Sequence, residues 1–223
     1  MAQQNLKIFA PPATKNSFFI SFEGIEGAGK STVIKSVQNY LEKKAYRLVS
    51  CREPGGTLFG ENLRKSILES KTPINPLSEA LLFASARAQL LTEVILKELQ
   101  TPHTVVLCDR YIDSSFSYQG IARGLGIETI LDIHKHYPLC MMPHRTYYIK
   151  IGLETSLFRQ QKRNAAKDYF ESEKEEFYRS LISGYDQASK LFPERISIIN
   201  GEESETLVTM AVLKNLEELL CAT

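Results

Sequence analysis

The stretch FEGIEGAGKST, Phe22 to Thr32, constrains this chain more than any other. Gly24, Gly29, Lys30 and Ser31 fall on the spacing G-x-x-x-x-G-K-[ST], in which backbone N–H groups wrap phosphate, the lysine reaches its outer oxygens and the hydroxyl meets Mg²⁺. The apolar run FFISF (18–22) precedes the turn as a buried strand. Val33, Ile34, Val37 and Leu41 follow it at the spacing of one helix face. Such a helix aims free N–H groups and its positive dipole end at the turn, which suits an anion. Gly24, Ile25, Glu26, Gly27, Ala28, Gly29, Lys30, Ser31 and Thr32 are therefore read as a loop that holds the phosphates of a nucleoside triphosphate.

Four more stretches have strand character: YRLVSC (46–51), TVVLCD (104–109), TYYIKI (146–151) and RISIIN (195–200), with helical periodicity between them. Strand alternating with helix predicts an α/β fold of three layers. A five-stranded parallel sheet lies between helices, and ligands bind at the carboxyl ends of the strands. The 223 residues suffice for a sizeable core and show no linker or composition shift, so 17–223 reads as one domain with a mobile insert. The first 16 residues, MAQQNLKIFAPPATKN, read as a loose tail with neither signal peptide nor membrane span. A formal net charge of +1 gives no electrostatic footprint for nucleic acid. Cys51, Cys108, Cys140 and Cys221 stand apart, without the spacing of a zinc site or disulfide framework, which fits reduced thiols in the cytoplasm.

Leu77 to Leu99 carries the longest helical pattern, with Leu81, Ala84, Ala88, Leu91 and Ile95 as a core stripe; Leu77, Leu82, Leu90 and Val94 are left over. Between Phe158 and Glu176 the chain is polar and charged. That segment is either a solvated helix with an exposed connection or an arginine-bearing lid that closes over a nucleotide.

A phosphate loop alone does not choose among GTPases, motor ATPases and small-molecule kinases. The chain lacks an N-K-x-D guanine reader and a D-x-x-G switch, which sets GTPases aside. After the loop come, in order, REPGGT (52–57), FASARAQ (83–89) and DRYIDSSFSYQG (109–120). With FEGIEGAGKST these motifs resemble thymidylate kinase of the bacterial kind, from about Phe18 to the C-terminal helix.

The resemblance implies a P-loop kinase fold with a short lid at about 158–172, ATP and Mg²⁺ as cofactors, dTMP as acceptor, and a homodimer formed through the long helix 77–99. It implies that Arg110 binds the acceptor phosphate, a task to which the planar guanidinium fork is suited. Phe83 stacks on thymine, and Arg87 reads a base carbonyl from the same helix face. Ser114, Ser115, Tyr118 and Gln119 look like the nucleoside-contacting run, with Tyr118 crowding a 2′-hydroxyl, and Glu26 meets the 3′-hydroxyl. Glu53 and Pro54 line the acceptor site; Ser31, Asp109 and Glu53 serve Mg²⁺. Some members carry an arginine in the P-loop where this chain has Gly27, so Arg159 and Arg163 of the lid would supply the cation for the moving phosphoryl group. The chain departs from the family pattern at Tyr169, where D-R-x-E reads DYFE, and at Lys150, Gly152 and Asn200. A deoxynucleoside kinase would instead need a general base for a hydroxyl acceptor. A nucleotide-binding regulator without turnover is the reading those departures keep open.

Overall fold

The computed structural model describes residues 6–163, 169–170 and 173–221, without the Arg163 side chain. Five strands form one parallel sheet: β1 (Phe18–Glu23), β2 (Arg47–Arg52), β3 (Thr104–Asp109), β4 (Arg145–Lys150) and β5 (Ile196–Asn200). Their spatial order is β2-β3-β1-β4-β5. Central β1 is buried along its whole length, as its apolar run FFISF requires of a strand covered on both faces. Its register pairs Phe22 with Asp109, while Arg52 pairs with the same Asp109 from β2. The three segments that follow, Gly24 onward, Glu53 onward and Arg110 onward, thus leave the sheet side by side at its carboxyl edge. The expected strands agree with these to within a residue at each end.

Helices cover both faces. α1 (Lys30–Lys43) starts directly from the glycine turn and buries Val33, Val37 and Leu41, as their spacing predicts. α2 (Leu58–Leu68) is capped by Thr57, whose hydroxyl accepts from the Gly60 N–H. α3 (Pro76–Leu90) begins with Asn75 accepting from the N–H groups of Leu77 and Ser78 and with Pro76 at its first position. It runs on through a π-helical turn (Leu91–Ile95) to Leu96–Glu98. The extra residue in that turn shifts the helical phase, which a single periodic stripe does not foresee. Leu81, expected in the core, is 49% exposed, whereas the left-over Leu90 is fully buried; both precede that turn, and nine residues apart on a regular helix they lie on opposite faces, with the buried face running through Ala80, Ala84 and Arg87. α4 (Ile112–Ser115) also passes into a π-helical stretch, Phe116–Ala122. α5 (Ile127–His134), α6 (Leu153–Arg163), α7 (Glu175–Leu191) and α8 (Glu205–Cys221) complete the described helices.

The segment expected to be a loose tail is, from Leu6 onward, laid against the body. Leu6 and Phe9 pack on the core, Phe9 meets Phe192 edge-on at 6.5 Å, and Ala10 accepts from the Met142 N–H. Two apolar side chains in LKIFA supply the burial that its polar neighbours hide in a composition-based reading. Residues 1–5 and the lid positions 164–168 and 171–172, Asp168 and Glu171 of DYFE among them, lie outside the described residues.

Candidate functional site

The glycine turn is held in a form only glycine tolerates at Gly24, where φ is +140° and a Cβ would stand 2.5 Å from the Ile149 carbonyl oxygen. Lys30 reaches back across the turn and donates to the Gly24 carbonyl at 3.0 Å. Burial, then Arg110, push its pKa down, against the pull of Asp109, Glu26 and Glu23. Gly27 sits beneath α6: a Cβ there would lie 3.1 Å from the Ser156 oxygen and 3.2 Å from the Arg159 Cβ. Arg159 donates to the carbonyls of Gly27 and Gly201, at 3.1 Å each. Expected to arrive with a lid, Arg159 is already seated on the P-loop from a helix of the body. It borders a cavity of about 290 Å³ with Gly27, Gly29, Thr32 and Gly201. Arg163 closes the same helix.

On the other side of the turn lies Arg110, in the left-handed region at φ +70°. Its N–H bonds to the Phe22 carbonyl and its own carbonyl accepts the Cys108 thiol, so both strand ends hold the unusual backbone. The guanidinium donates to the Gly24 carbonyl, Ser114 and Tyr185 from Nη1 and to Glu26 from Nη2, at 2.6 Å. It also lies over the Tyr118 ring, whose hydroxyl donates to Glu26 at 2.8 Å. Burial alone would raise the Glu26 carboxyl, but Arg110, Lys30 and Tyr118 outweigh it and hold it below its ordinary value. Arg110, Glu26, Tyr118 and Ser114, predicted separately, thus form one cluster beside Lys30.

Beneath them is Glu23, the last residue of β1 and one beyond the strand expected from FFISF. Fully buried, it accepts from the N–H groups of Tyr111 and Ser114, the Ser114 hydroxyl and the Tyr185 hydroxyl. Burial, then the charge of Asp113, push its pKa up to about 7. Tyr185, on α7, was missed because no motif surrounds it. A carboxylate directly after the buried run FFISF was the one signal that could have found Glu23.

Asp109 Oδ1 is buried and has no hydrogen-bond partner among the described residues. An orphaned carboxylate oxygen close to Lys30 fits a site that a hydrated cation completes. Among the described residues no cluster of three or more His, Cys, Asp or Glu side chains could cage a metal alone. Glu53, expected to help Asp109 and Ser31, is turned elsewhere: Arg87 binds both its oxygens, at 2.5 to 3.1 Å, and the two side chains are 4% and 1% exposed. A buried carboxylate needs such a partner, and α3 brings the guanidinium to it.

Arg87 is correspondingly committed. Besides Glu53 it donates to Ser115 at 3.1 Å and meets His134 Nε2 at 2.6 Å. Burial, then Arg87 itself, push the His134 pKa down to about 3, so the ring is neutral; its Nδ1–H donates to the Ile130 carbonyl and Nε2 accepts. One Nη2 hydrogen of Arg87 remains for a ligand, fewer than the expected base-reading role suggests. Phe83 is half-buried and faces Phe170 at 6.1 Å, with Phe170 edge-on to Tyr118 at 5.3 Å. Gln119 is buried and donates from Nε2 to Glu79 at 2.8 Å. Pro54 accepts from Arg64 at 3.1 Å.

A profile of the family described as thymidylate kinase matches residues 22–212. The chain belongs to the thymidylate kinase family. That makes it an ATP-dependent nucleoside monophosphate kinase. It is 43% identical over 202 residues to a thymidylate kinase of Caldanaerobacter subterraneus subsp. tengcongensis, covering 91% of this chain and 96% of that one. Over 200 residues it is 40% identical to a thymidylate kinase of Acholeplasma laidlawii, covering 89% and 98%. The crystal structure of thymidylate kinase from Ehrlichia chaffeensis superposes with a TM-score of 0.70 at 29% identity, covering 90% of this chain and 99% of that one.

Against the thymidylate kinase pattern, the unusual residues have local partners. Lys150 binds Asp186 at 2.7 and 2.8 Å. Gly152 donates its N–H to Glu202, and Asn200 accepts from the Glu202 N–H and donates to Glu203. Tyr169, in place of the lid arginine, accepts from the Ile74 N–H and lies under Arg123, which also covers Phe170 and Phe177 and pairs with Glu173.

Proposed function

We propose that this site transfers the γ-phosphoryl group of ATP to the phosphate of dTMP, giving dTDP and ADP for dTTP synthesis. The convergence of Arg110, Glu26 and Tyr118 beside Lys30 carries the reading. It puts an anion-binding guanidinium, a hydroxyl acceptor and an aromatic wall where a 5′-phosphate and a deoxyribose belong. Arg110 holds the acceptor phosphate in line, Glu26 takes the 3′-hydroxyl, and Tyr118 closes the space a 2′-hydroxyl would need. Lys30 and the N–H groups of Gly24 to Ser31 cradle the ATP phosphates. Phe83 offers its face to the thymine, with Ser115, Gln119 and the remaining Arg87 N–H at the base edge. Arg159, held at the P-loop, and Arg163 neutralise charge on the moving group. The acceptor oxygen is already anionic, so positioning and electrostatics do most of the work without a dedicated base.

Ser31 and the orphaned Asp109 oxygen are the residues that would hold Mg²⁺, directly or through water. When bound, the ion neutralises phosphate charge and orients the nucleotide. We further propose a cytoplasmic homodimer formed through α3. The exposed Leu77 and Leu81 on α3 support a second copy on this face. Among the described residues no helix is long and apolar enough to cross a membrane.

ADP release from ATP and Mg²⁺ tests the function, measured with dTMP, with thymidine and with neither. Turnover with dTMP only is expected. Turnover with thymidine would identify a hydroxyl acceptor and a nucleoside kinase; none with either would leave a binding protein.

A further inference from the structure

Glu79, Phe83 and Arg87 recur every four residues on α3, so they share one helix face. The first of them has no role in the site so far, yet its carboxyl is fully buried. Such a group is costly to bury unless it is bound on all sides. Its partners are Gln119 Nε2 at 2.8 Å and the Arg123 Nε, at 3.3 and 3.5 Å from its two oxygens. Burial pushes the Glu79 pKa up, and the Gln119 and Arg123 contacts oppose that push.

An ionised carboxylate only accepts, and the two ends of a side-chain amide are nearly the same shape. Glu79 therefore decides which end of Gln119 points where. Nε2 is fixed toward Glu79, and Oε1 is left facing away, with no donor to it among the described residues. A pinned amide of this polarity offers an acceptor, with the second Nε2 hydrogen beside it. It matches a pyrimidine edge that carries a ring N–H donor and a carbonyl acceptor, as thymine and uracil do at N3 and O4. Cytosine presents the reverse pair, an acceptor at N3 and a donor at N4, and would need the amide turned over. Arg87 cannot make the choice, since all but one of its N–H groups are engaged by Glu53, Ser115 and His134.

We propose that Glu79 is a specificity-determining positioning residue: by fixing the Gln119 amide it makes the nucleobase pocket accept imide pyrimidines and reject amino pyrimidines. The inference rests on the reading that Gln119 borders the base. It leaves the 5-methyl group out of account, so thymine and uracil fall on the same side.

The test measures dissociation constants of dTMP, dUMP and dCMP, with kcat and KM for dTMP, in the full-length enzyme and in Glu79→Gln, which keeps the volume but accepts and donates. The preference for dTMP over dCMP is expected to drop by at least about tenfold, through weaker dTMP and stronger dCMP binding. The dTMP to dUMP ratio stays put, and kcat for dTMP changes less than KM. Glu79→Met, which has no acceptor to hold the amide, gives the same readout if the first variant does not fold. Gln119→Leu separates the two layers of the argument. If it leaves the dTMP to dCMP ratio intact, Gln119 does not read the base and the underlying site reading fails. If it collapses the ratio while a folded Glu79 variant keeps it, Glu79 only supports packing and the proposal is overturned.

Discussion

Two arginine–glutamate pairs lie within the same site and do different work. Arg87 and Glu53 are 2.5 Å apart with side chains 1% and 4% exposed; Arg110 and Glu26 are 2.6 Å apart with side chains 18% and 15% exposed. Nearly equal distances conceal opposite surroundings. Arg87 is ringed by both Glu53 oxygens, Ser115, a neutral His134 and the Tyr111 ring, a closed set that leaves one hydrogen over. Arg110 stands beside the glycine turn, between Glu26 and the wall of Tyr118, with its Nε unpartnered among the described residues. A buried pair of the first kind fixes structure, and breaking it strands a charge. A pair of the second kind can trade partners with a ligand.

The open side should break hardest in activity. Lys30→Ala is expected to lower kcat by about a thousandfold with little change in Tm, because a charge that meets phosphate only in the nucleotide complex is lost. ADP production at the wild-type rate in this variant would remove the P-loop assignment. The closed side should break in stability instead. Arg87→Met leaves Glu53 buried and unpaired and is expected to cost on the order of 3–5 kcal/mol in denaturant unfolding. An unchanged midpoint would mean that the pair is not closed after all.

Glu23 sharpens the contrast, because it is a buried carboxylate whose hydrogen bonds come from neutral donors, with Arg110 reaching it only through Ser114 and Tyr185. Its folded pKa of about 7 lies above the ordinary 4.5, so the folded state keeps a proton that the unfolded chain releases. The unfolded chain binds fewer protons between those values, and stability from this group falls as pH rises from about 4.5 to about 7. Glu23→Gln should flatten that slope by on the order of 3 kcal/mol across the window. Parallel stability–pH curves for the two proteins would show that Glu23 titrates normally. The smallest effect is expected at the rim of the open side. Tyr118→Ala should narrow the preference for deoxyribose over ribose monophosphates by about tenfold, read as the ratio of kcat/KM values.

What the sequence made legible follows from the range of the interactions. The P-loop is legible because local spacing alone builds it, and the five strands because each is a short apolar run. Arg110 could be assigned beside the phosphates because it follows a strand-end aspartate in a motif that resembles the family's; that its strand neighbours the P-loop strand is visible only in the fold. The partners of Arg87 could not, since Glu53, Ser115 and His134 come from three other segments and meet only in the folded molecule. Leu81 and Leu90 exchanged places because the buried face of α3 runs through Ala80, Ala84 and Arg87, and a buried arginine gives no apolar signal to set the phase. Glu79 lay within reach of the sequence reading, four residues before Phe83, yet a glutamate on a helix is by default a solvated one.

The difference between the two pairs is measured most directly by the phosphate's share of substrate binding: the ratio of dissociation constants for thymidine and dTMP, by calorimetry, in wild type, Arg110→Met and Arg87→Met. The wild-type ratio is expected to shrink by about a hundredfold in Arg110→Met, as one charge-assisted bidentate contact is lost. It should persist in whatever fraction of Arg87→Met is folded. A ratio kept in Arg110→Met and lost in Arg87→Met would reverse the two roles and contradict the account.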